Sequence, residues 1–369
     1  MILRLSVWTC LVLPLLGQDL AIHHAEHFSA KRGDHAWELT IRQEAGKTEQ
    51  TWIILDPDAP KRTGPRVLRA PLKKVISLST TNLPFMKALG ELESLKAVAD
   101  FRHVNTPEVL EAIKDRKVSQ VGSFQQLNVE RVLELDVDVV MTYSLGTNAY
   151  DTGGTLSKIG QQVFFLNAYL ESSYLARAEW IKFFGVLYDK VEDAEKIFKG
   201  IETRYQDVQS KMIDEKRRPT VFCNRPFRGT WYLPGGDSTT AHLIASAGGE
   251  YLWSHVNQKQ AITLDVEAVL QKAIDADVWL VSGHQVWKNL EDVPASNPAY
   301  SSFKALKTGR VYANDGRLSE SGGNDIFETA LLEPDVLLKD YLKMIQPNAL
   351  PDHQLIYHRK LESKDSSRR

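Results

Sequence analysis

The sequence predicts an α/β protein with two parallel-sheet lobes, joined by one long α-helix and preceded by a small β extension. Three observations indicate this architecture. A Leu-x-Val-Glu start, an apolar helical stripe and a buried-type strand occur twice, at residues 127–142 and 264–282. Short apolar strands alternate with helices around each copy, which is typical of parallel sheets. Between the two copies, residues 171–218 keep apolar side chains at helical spacing.

The first 70 residues differ from the rest of the chain. Residues 1–17 carry one positive charge and then an apolar run, which is too short to span a bilayer but suits a signal peptide. We therefore predict an exported, periplasmic protein; a retained anchor and a lipidated Cys10 are the alternatives. Residues 18–70 hold alternating apolar stretches at 37–41 and 51–55 and then a Pro-rich linker, which predicts an appended hairpin.

The first lobe is predicted to cover residues 71–170. Its strands and helices alternate along the chain, as a parallel sheet requires. The predicted strands are residues 75–78, 97–99, 137–141 and 162–166, and the predicted helices are residues 83–90 and 108–114.

The linking helix is predicted over residues 171–218, as one helix or as two with a kink. Its apolar stripe includes Trp180, Phe183 and Phe184 and continues through Ile201. Pro219 ends it, because proline disfavours a helical conformation in the residue before it.

The second lobe is predicted over residues 219–346 and repeats the order of the first. Its predicted elements are a strand at 220–223, a helix at 239–247, the second repeat copy, a strand after Gly309 and a closing helix at 326–345. Residues 347–369 are predicted to be a C-terminal tail.

Composition excludes several classes of function. The formal net charge is −2 and no long basic run occurs, so we expect no nucleic-acid partner. Only two cysteines exist, and one lies in the apolar leader, which leaves Cys223 as a buried strand residue without a disulfide. The Gly-rich stretches 234–238 and 321–325 lack the residues of a phosphate-binding loop or a nucleophile elbow. We therefore expect no catalytic residues and no enzyme activity.

Several stretches together resemble the helix-linked periplasmic substrate-binding proteins that serve ABC importers of ferric siderophores, haem and cobalamin, particularly members from Bacteroidetes-like bacteria. They are residues 75–79, 121–124 with 127–130, 231–238 and 247–249. The resemblance covers residues 72–346. It implies a monomer without an intrinsic cofactor, which captures a large metal chelate between its lobes and delivers it to an ABC permease dimer.

The two repeat glutamates, Glu130 and Glu267, lie in the first turn of their predicted helices. Complementarity with the helix dipole explains a carboxylate there without any function. The resemblance implies a second role, because each lobe of such proteins offers a glutamate that pairs with permease arginines, and Glu130 and Glu267 match those positions. Carboxylates on separate rigid lobes would set the register of docking.

Ligands of such folds lie outside the carboxyl ends of the parallel strands. Aromatic residues after the predicted strands could cover the flat faces of a chelate, arginines could pair with its anionic groups, and a histidine could donate a hydrogen bond. These candidates are Phe124, Tyr143, Phe227, Trp231, Trp287, Arg102, Arg228, Arg317 and His284. Phe124 also matches an aromatic residue that the cobalamin-binding member uses.

Each candidate has a structural explanation as well: an aromatic after a strand can belong to the core, and an arginine can be a solvated surface charge. Two other functions stay open. The chain could carry zinc or manganese. A site for either metal would need three or four convergent ligands, and we assign no metal ligand. It could also be a sensory or interaction module on the same fold.

Overall fold

The structure, a computed structural model, describes residues 19–42, 49–122, 126–143, 152–214, 216–283 and 287–364. The predicted signal peptide with Cys10 and the candidates Phe124 and His284 lie outside these residues.

The N-terminal extension is a four-stranded sheet. Its strands are β1 (Phe28–Gly33), β2 (Ala36–Ile41), β3 (Gln50–Leu55) and β4 (Val67–Arg69). Strands β1 to β3 are antiparallel neighbours, and β4 pairs with β3 in parallel. Strands β2 and β3 contain the two alternating stretches. The other two strands escaped prediction because β1 carries the polar run Ser-Ala-Lys-Arg-Gly and β4 has three residues.

A buried carboxylate, Glu179, holds the start of this extension. Glu179 accepts hydrogen bonds from the backbone N–H groups of His23, His24 and Ala25, at 2.6–3.1 Å. It also pairs with Lys182 at 2.8 Å. Since a buried charge is stable only when it is paired and hydrogen-bonded, these contacts fix the extension to the linking helices.

The first lobe is a parallel sheet covered by helices. Its elements are β5 (Val75–Ser77), α1 (Leu83–Ala88), β6 (Leu95–Val98), α2 (Pro107–Lys114), β7 (Ser119–Gln120), α3 (Val129–Glu134), β8 (Val139–Thr142), α4 (Thr152–Lys158) and β9 (Val163–Phe165). The strand order is β7-β6-β5-β8-β9, and every pair is parallel. The direction of the order reverses between β5 and β8, where such sheets bind ligands.

The link between the lobes is three consecutive helices, where the sequence predicts one helix or one kinked helix. They are α5 (Tyr174–Glu179), α6 (Ile181–Leu187) and α7 (Val191–Gln209). Asp189 adopts a positive φ of 57° between α6 and α7, which ends the helical path there. A Cβ at Gly185 would lie 2.7 Å from the Cβ of Ala194, so this glycine lets α6 and α7 pack closely.

The second lobe combines a mixed sheet with a small antiparallel one. Its elements are β10 (Thr220–Cys223), β11 (Pro226–Phe227), β12 (Thr230–Leu233), α8 (Thr239–Ser246), β13 (Glu250–Tyr251), β14 (Ile262–Asp265), α9 (Val266–Ala273), β15 (Val278–Val281), α10 (Asp292–Ser296), α11 (Lys304–Lys307), β16 (Val311–Ala313), α12 (Pro334–Ile345) and β17 (Arg359–Lys360). The main sheet has the order β13-β10-β15-β16-β17, and β11-β12-β14 form the other.

Two sequence predictions for this lobe are corrected. The closing helix begins at Pro334 rather than at residue 326, because proline fits the first turn of a helix and not its interior. The predicted tail is partly a strand, since β17 pairs antiparallel with β16 at the sheet edge. Its two residues are too few to give a strand pattern in the sequence.

Candidate functional site

The second lobe has its own reversal of strand order, between β10 and β15. Asn224 follows β10 directly and Ser282 follows β15. The Ser282 hydroxyl donates a hydrogen bond to the Asn224 side-chain oxygen, and the Asn224 amide donates to the carbonyl of Tyr232 at 2.7 Å. Polar groups are thus fixed at the edge of the sheet where α/β proteins bind ligands.

A cavity of about 390 Å³ opens at this edge. Its lining is aromatic and polar, and it includes Tyr174, Asn224, Arg225, Phe227, Tyr232, Ser282, Asn314, Phe327 and Tyr341. Three of its aromatic side chains are largely exposed: Phe227 at 60%, Phe327 at 51% and Tyr232 at 44%. We call Phe227, Tyr232 and Phe327 the aromatic rim. Exposed apolar side chains grouped at a cavity are typical of a binding site.

A tight hairpin presents one part of this rim. Phe227 pairs with Thr230 across β11 and β12, so Arg228 and Gly229 form a two-residue turn. Both have positive φ, at 52° and 83°, as hairpin turns of this length require. The Arg228 guanidinium lies 5.2 Å from the centre of the Phe227 ring. One turn thus presents two consecutive candidates, of which Phe227 lines the cavity and Arg228 does not.

Trp231 is not a ligand contact, which corrects the sequence prediction. Its side chain is fully buried, and its indole N–H donates to the carbonyl of Cys223 at 2.9 Å. The ring packs near Trp279 and Tyr300 inside the second lobe. Adjacent residues of a strand point to opposite faces, so the inward Trp231 makes Tyr232 the outward residue. The alternation Thr-Trp-Tyr-Leu shows that only one of the two can face solvent, but not which one.

Two candidates lie on the first lobe. Tyr143 follows β8, its ring centre is 6.2 Å from that of Tyr169, and burial raises the pKa of its hydroxyl. Arg102 lies in the turn after β6, where its side chain is 76% exposed. Its guanidinium hydrogen-bonds both carboxylate oxygens of Asp100 and thereby lowers the pKa of that carboxyl.

Arg317 and Trp287 are held by other contacts. Arg317 pairs with Asp325 at 3.0 Å and lines a different groove of about 1350 Å³, beside α1, α2 and α7. Trp287 is half-buried against Trp279, with ring centres 5.1 Å apart. Neither residue lines the 390 Å³ cavity.

Sequence reasoning missed two of the three rim residues. Phe327 fell inside a predicted helix, whereas it belongs to a single turn of 3-10 helix before α12. Tyr232 was hidden by its neighbour Trp231.

The repeat glutamates occupy equivalent places on the two lobes. Glu130 lies in the first turn of α3 and Glu267 in the first turn of α9, and both are exposed. Neither carboxylate makes an ion pair with any residue in the described part of the chain.

Potential metal ligands gather elsewhere. Within the described part of the chain, one group of three such side chains lies close together: His35, Asp56 and Asp58. It lies on the N-terminal extension, and Asp56 already pairs with Arg32 at 2.6 Å.

Two doubly wound lobes, with a cavity at the carboxyl edge of a sheet, define a two-lobed solute-binding protein. The periplasmic binding protein family matches residues 75–318, more than half of the chain. The chain therefore belongs to this family, whose members are exported solute-binding proteins and not enzymes.

Known proteins agree with this assignment. An uncharacterized lipoprotein of Methanocaldococcus jannaschii is 26% identical over 301 residues, which are 77% of this chain and 67% of that protein. Two solved structures share the fold. A periplasmic heme-binding protein of Pseudomonas aeruginosa has a TM-score of 0.58 at 18% identity, covering 79% of this chain and 96% of its own. The Fe3+-hydroxamate transport protein of Saccharomonospora viridis has a TM-score of 0.56 at 19% identity, covering 75% and 94%.

Among the residues that the structure describes, no helix is both long enough and apolar enough to cross a membrane.

Proposed function

We propose that this protein captures a large metal chelate, a ferric siderophore, haem or a corrinoid, and delivers it to the permease of an ABC importer. The observation that carries the proposal is the aromatic rim at the carboxyl edge of the second lobe. The names of the two structural neighbours support the same class of ligand, because one is described as binding heme and the other as part of Fe3+-hydroxamate transport.

The rim suits a ligand with flat or greasy faces. Covering about 100 Å² of apolar surface is worth about 2.5 kcal/mol, and three exposed rings offer several such contacts. The guanidinium of Arg228 stands over the Phe227 ring, where it can meet a carboxylate or another anionic group of the ligand. Aromatic faces and a cation together fit haem and anionic ferric chelates.

Titration of the mature protein tests the ligand. Haemin, a ferric hydroxamate, a ferric catecholate, cobalamin and cobinamide are added in turn while tryptophan fluorescence is followed, and zinc and manganese salts test the metal-ion alternative. We expect saturable binding of one chelate at micromolar or lower concentration. Phe227→Ala should weaken it about tenfold, the loss of one aromatic contact.

Ile274→Ala is the matched control. Ile274 is also exposed, at 41%, but it ends α9 at the opposite edge of the sheet, so binding should be unchanged. If the folded protein binds no chelate, or binds it equally well without the Phe227 ring, the proposal is wrong.

We assign permease docking to Glu130 and Glu267. The exposed position of one carboxylate on each lobe matches a partner made of two similar subunits. Reversal of both charges, Glu130→Arg with Glu267→Arg, should abolish uptake in cells and leave ligand affinity intact.

Glu192→Arg serves as the control for docking. Glu192 is exposed in the first turn of α7. Reversal of its charge removes the same kind of interaction with a helix dipole and leaves Glu130 and Glu267 unchanged. Uptake that survives the double reversal would refute the docking role.

A further inference from the structure

One segment of the second lobe reaches across to the first. The Ser321 hydroxyl donates to the carbonyl of Arg102 at 3.3 Å. A Cβ at Gly323 would lie 2.8 Å from the side-chain nitrogen of Asn105 and 2.9 Å from the carbonyl of His103. The two lobes thus touch closely at residues 102–106.

Glu328 makes the strongest contact of this segment. Its carboxylate is fully buried. It accepts hydrogen bonds from the backbone N–H of Asn105 at 2.9 Å, the N–H of Thr106 at 2.9 Å and the hydroxyl of Thr106 at 2.8 Å. Thr106 is the N-cap residue of α2, and its own side chain does not cap the helix. A carboxylate from the other lobe therefore lies beside the α2 N-terminus, where the helix dipole favours a negative charge.

The neighbour of Glu328 belongs to the aromatic rim. Phe327 is half-exposed and lines the cavity at the carboxyl edge of the second lobe. Phe327, which faces the proposed ligand, and Glu328, which contacts the first lobe, are consecutive residues. The backbone of Phe327 is therefore anchored next to the contact between the lobes.

We propose that Glu328 is a positioning residue, which ties the lobes together through Asn105 and Thr106 and so holds Phe327 against the ligand. The role of Phe327 rests on the proposed function, whereas the contact between the lobes does not.

The contact depends on pH. Burial raises the pKa of Glu328 to about 7, although the hydrogen bonds from Thr106 and Asn105 oppose that rise, and nearby Asp325 adds to it. The Thr106 hydroxyl can serve both forms, since it can donate to a carboxylate or accept from a carboxylic acid. Other charged groups lie near this contact. Arg317 pairs with Asp325, Arg102 with Asp100 and Glu108 with Lys87, and His103 lies in the facing turn.

The closed and the separated states of this contact differ in the pKa of Glu328, and this difference sets the direction of the pH dependence. Glu328 has a raised pKa when buried and an ordinary one, 4.5, when the lobes separate. The closed contact therefore binds the proton better, is favoured at acidic pH and weakens as pH rises through about 7. Between pH 6 and pH 8 the closed contact should weaken by about tenfold relative to the separated state.

Hydrogen exchange of the ligand-free, full-length protein tests the contact. The amides of Asn105 and Thr106 should lose about tenfold in protection from pH 6 to pH 8, after correction for intrinsic exchange. The amide of Asp115, which bonds to the carbonyl of Glu111 at the other end of α2, provides the internal reference. Glu328→Gln should remove the pH dependence, and Thr106→Val should move its midpoint to higher pH.

Glu320→Gln is the matched control, because Glu320 is exposed on the same segment. It should behave as the natural protein does. Unprotected amides in the natural protein, or the same pH dependence in Glu328→Gln, would overturn the proposal. If glutamine at position 328 only disturbed the packing, the protection of these amides would fall equally at every pH. Thermal unfolding of each variant checks that it is folded.

Haemin affinity at the two pH values is the second readout. It should fall from pH 6 to pH 8 in the natural protein and stay level in Glu328→Gln. Exchange that follows the prediction while haemin and the other chelates fail to bind would refute the proposed ligand and leave the contact standing. Haemin binding whose pH dependence survives Glu328→Gln would refute the positioning role.

Discussion

Asp340 on α12 holds the C-terminal segment in place, and its replacement should destabilise the fold. Its carboxylate is fully buried and accepts hydrogen bonds from the backbone N–H groups of Ile356, Tyr357 and His358, at 2.8–3.2 Å. The rings of His353 and His358 contact the same carboxylate at 2.8 and 3.2 Å. We expect Asp340→Asn to cost about 3 kcal/mol at pH 7, because the new amide group meets donors where an acceptor is required.

The pH dependence gives the sharper test. Burial alone would raise the pKa of Asp340, but the contacts with His353 and His358 and the backbone donors outweigh it and lower the pKa to about 2, from an ordinary 3.8. A lowered pKa in the folded state contributes stability above pH 3.8, and this contribution is lost as pH falls toward 2. The full contribution is about 2 kcal/mol, and about 1 kcal/mol of it should be gone at pH 3.

Urea unfolding at pH 7 and pH 3, followed by tryptophan fluorescence, measures both effects. The difference in unfolding free energy between the natural protein and Asp340→Asn should shrink by about 1 kcal/mol at pH 3. Asp352→Asn, an exposed change in the neighbouring turn, should alter little at either pH. A difference that stays constant between the two pH values would refute this account of Asp340.

Two further predictions concern the second lobe. Trp231→Ala should cost about 3–5 kcal/mol of unfolding free energy. In the fluorescence titration, Trp231→Phe should leave chelate affinity unchanged, whereas Tyr232→Ala should weaken it about tenfold. If Trp231→Phe alone lost affinity, Trp231 would have to be counted as part of the binding site. Cys223 is buried in β10, and burial raises the pKa of its thiol, so a thiol reagent at pH 8 should label it only after urea unfolding; rapid labelling of the folded protein would contradict this burial.

Local patterns predicted the central strands of the two lobes but not β7, β13 and β17, which have two residues each. The bounds of β10 agree with the sequence prediction residue for residue, because this strand is a short apolar run. The division of the linking region into three helices was not predictable in the same way. Every residue of α6 is buried, so its stripe has no polar side to mark where the helix ends.

The candidate site was predictable as a place rather than as a set of side chains. Parallel strands put their carboxyl ends at one edge, and this rule led to Phe227, which lines the cavity there. It did not separate the buried Trp231 from the exposed Tyr232, because strand alternation names two faces without saying which one the core covers. Phe327 reaches the rim from a turn far along the chain, which no local pattern records.

Glu328 shows why contacts between lobes escape a reading of the sequence. It stands 222 residues from Thr106, and a lone glutamate before a helix is most simply a surface charge. Its burial needs three donors that only the folded first lobe supplies. Helix α7 packs against α12 and α6, and this packing restricts the lobes to small relative movements. Under that restraint, we expect a contact as local as Glu328 with Thr106 to hold the position of Phe327.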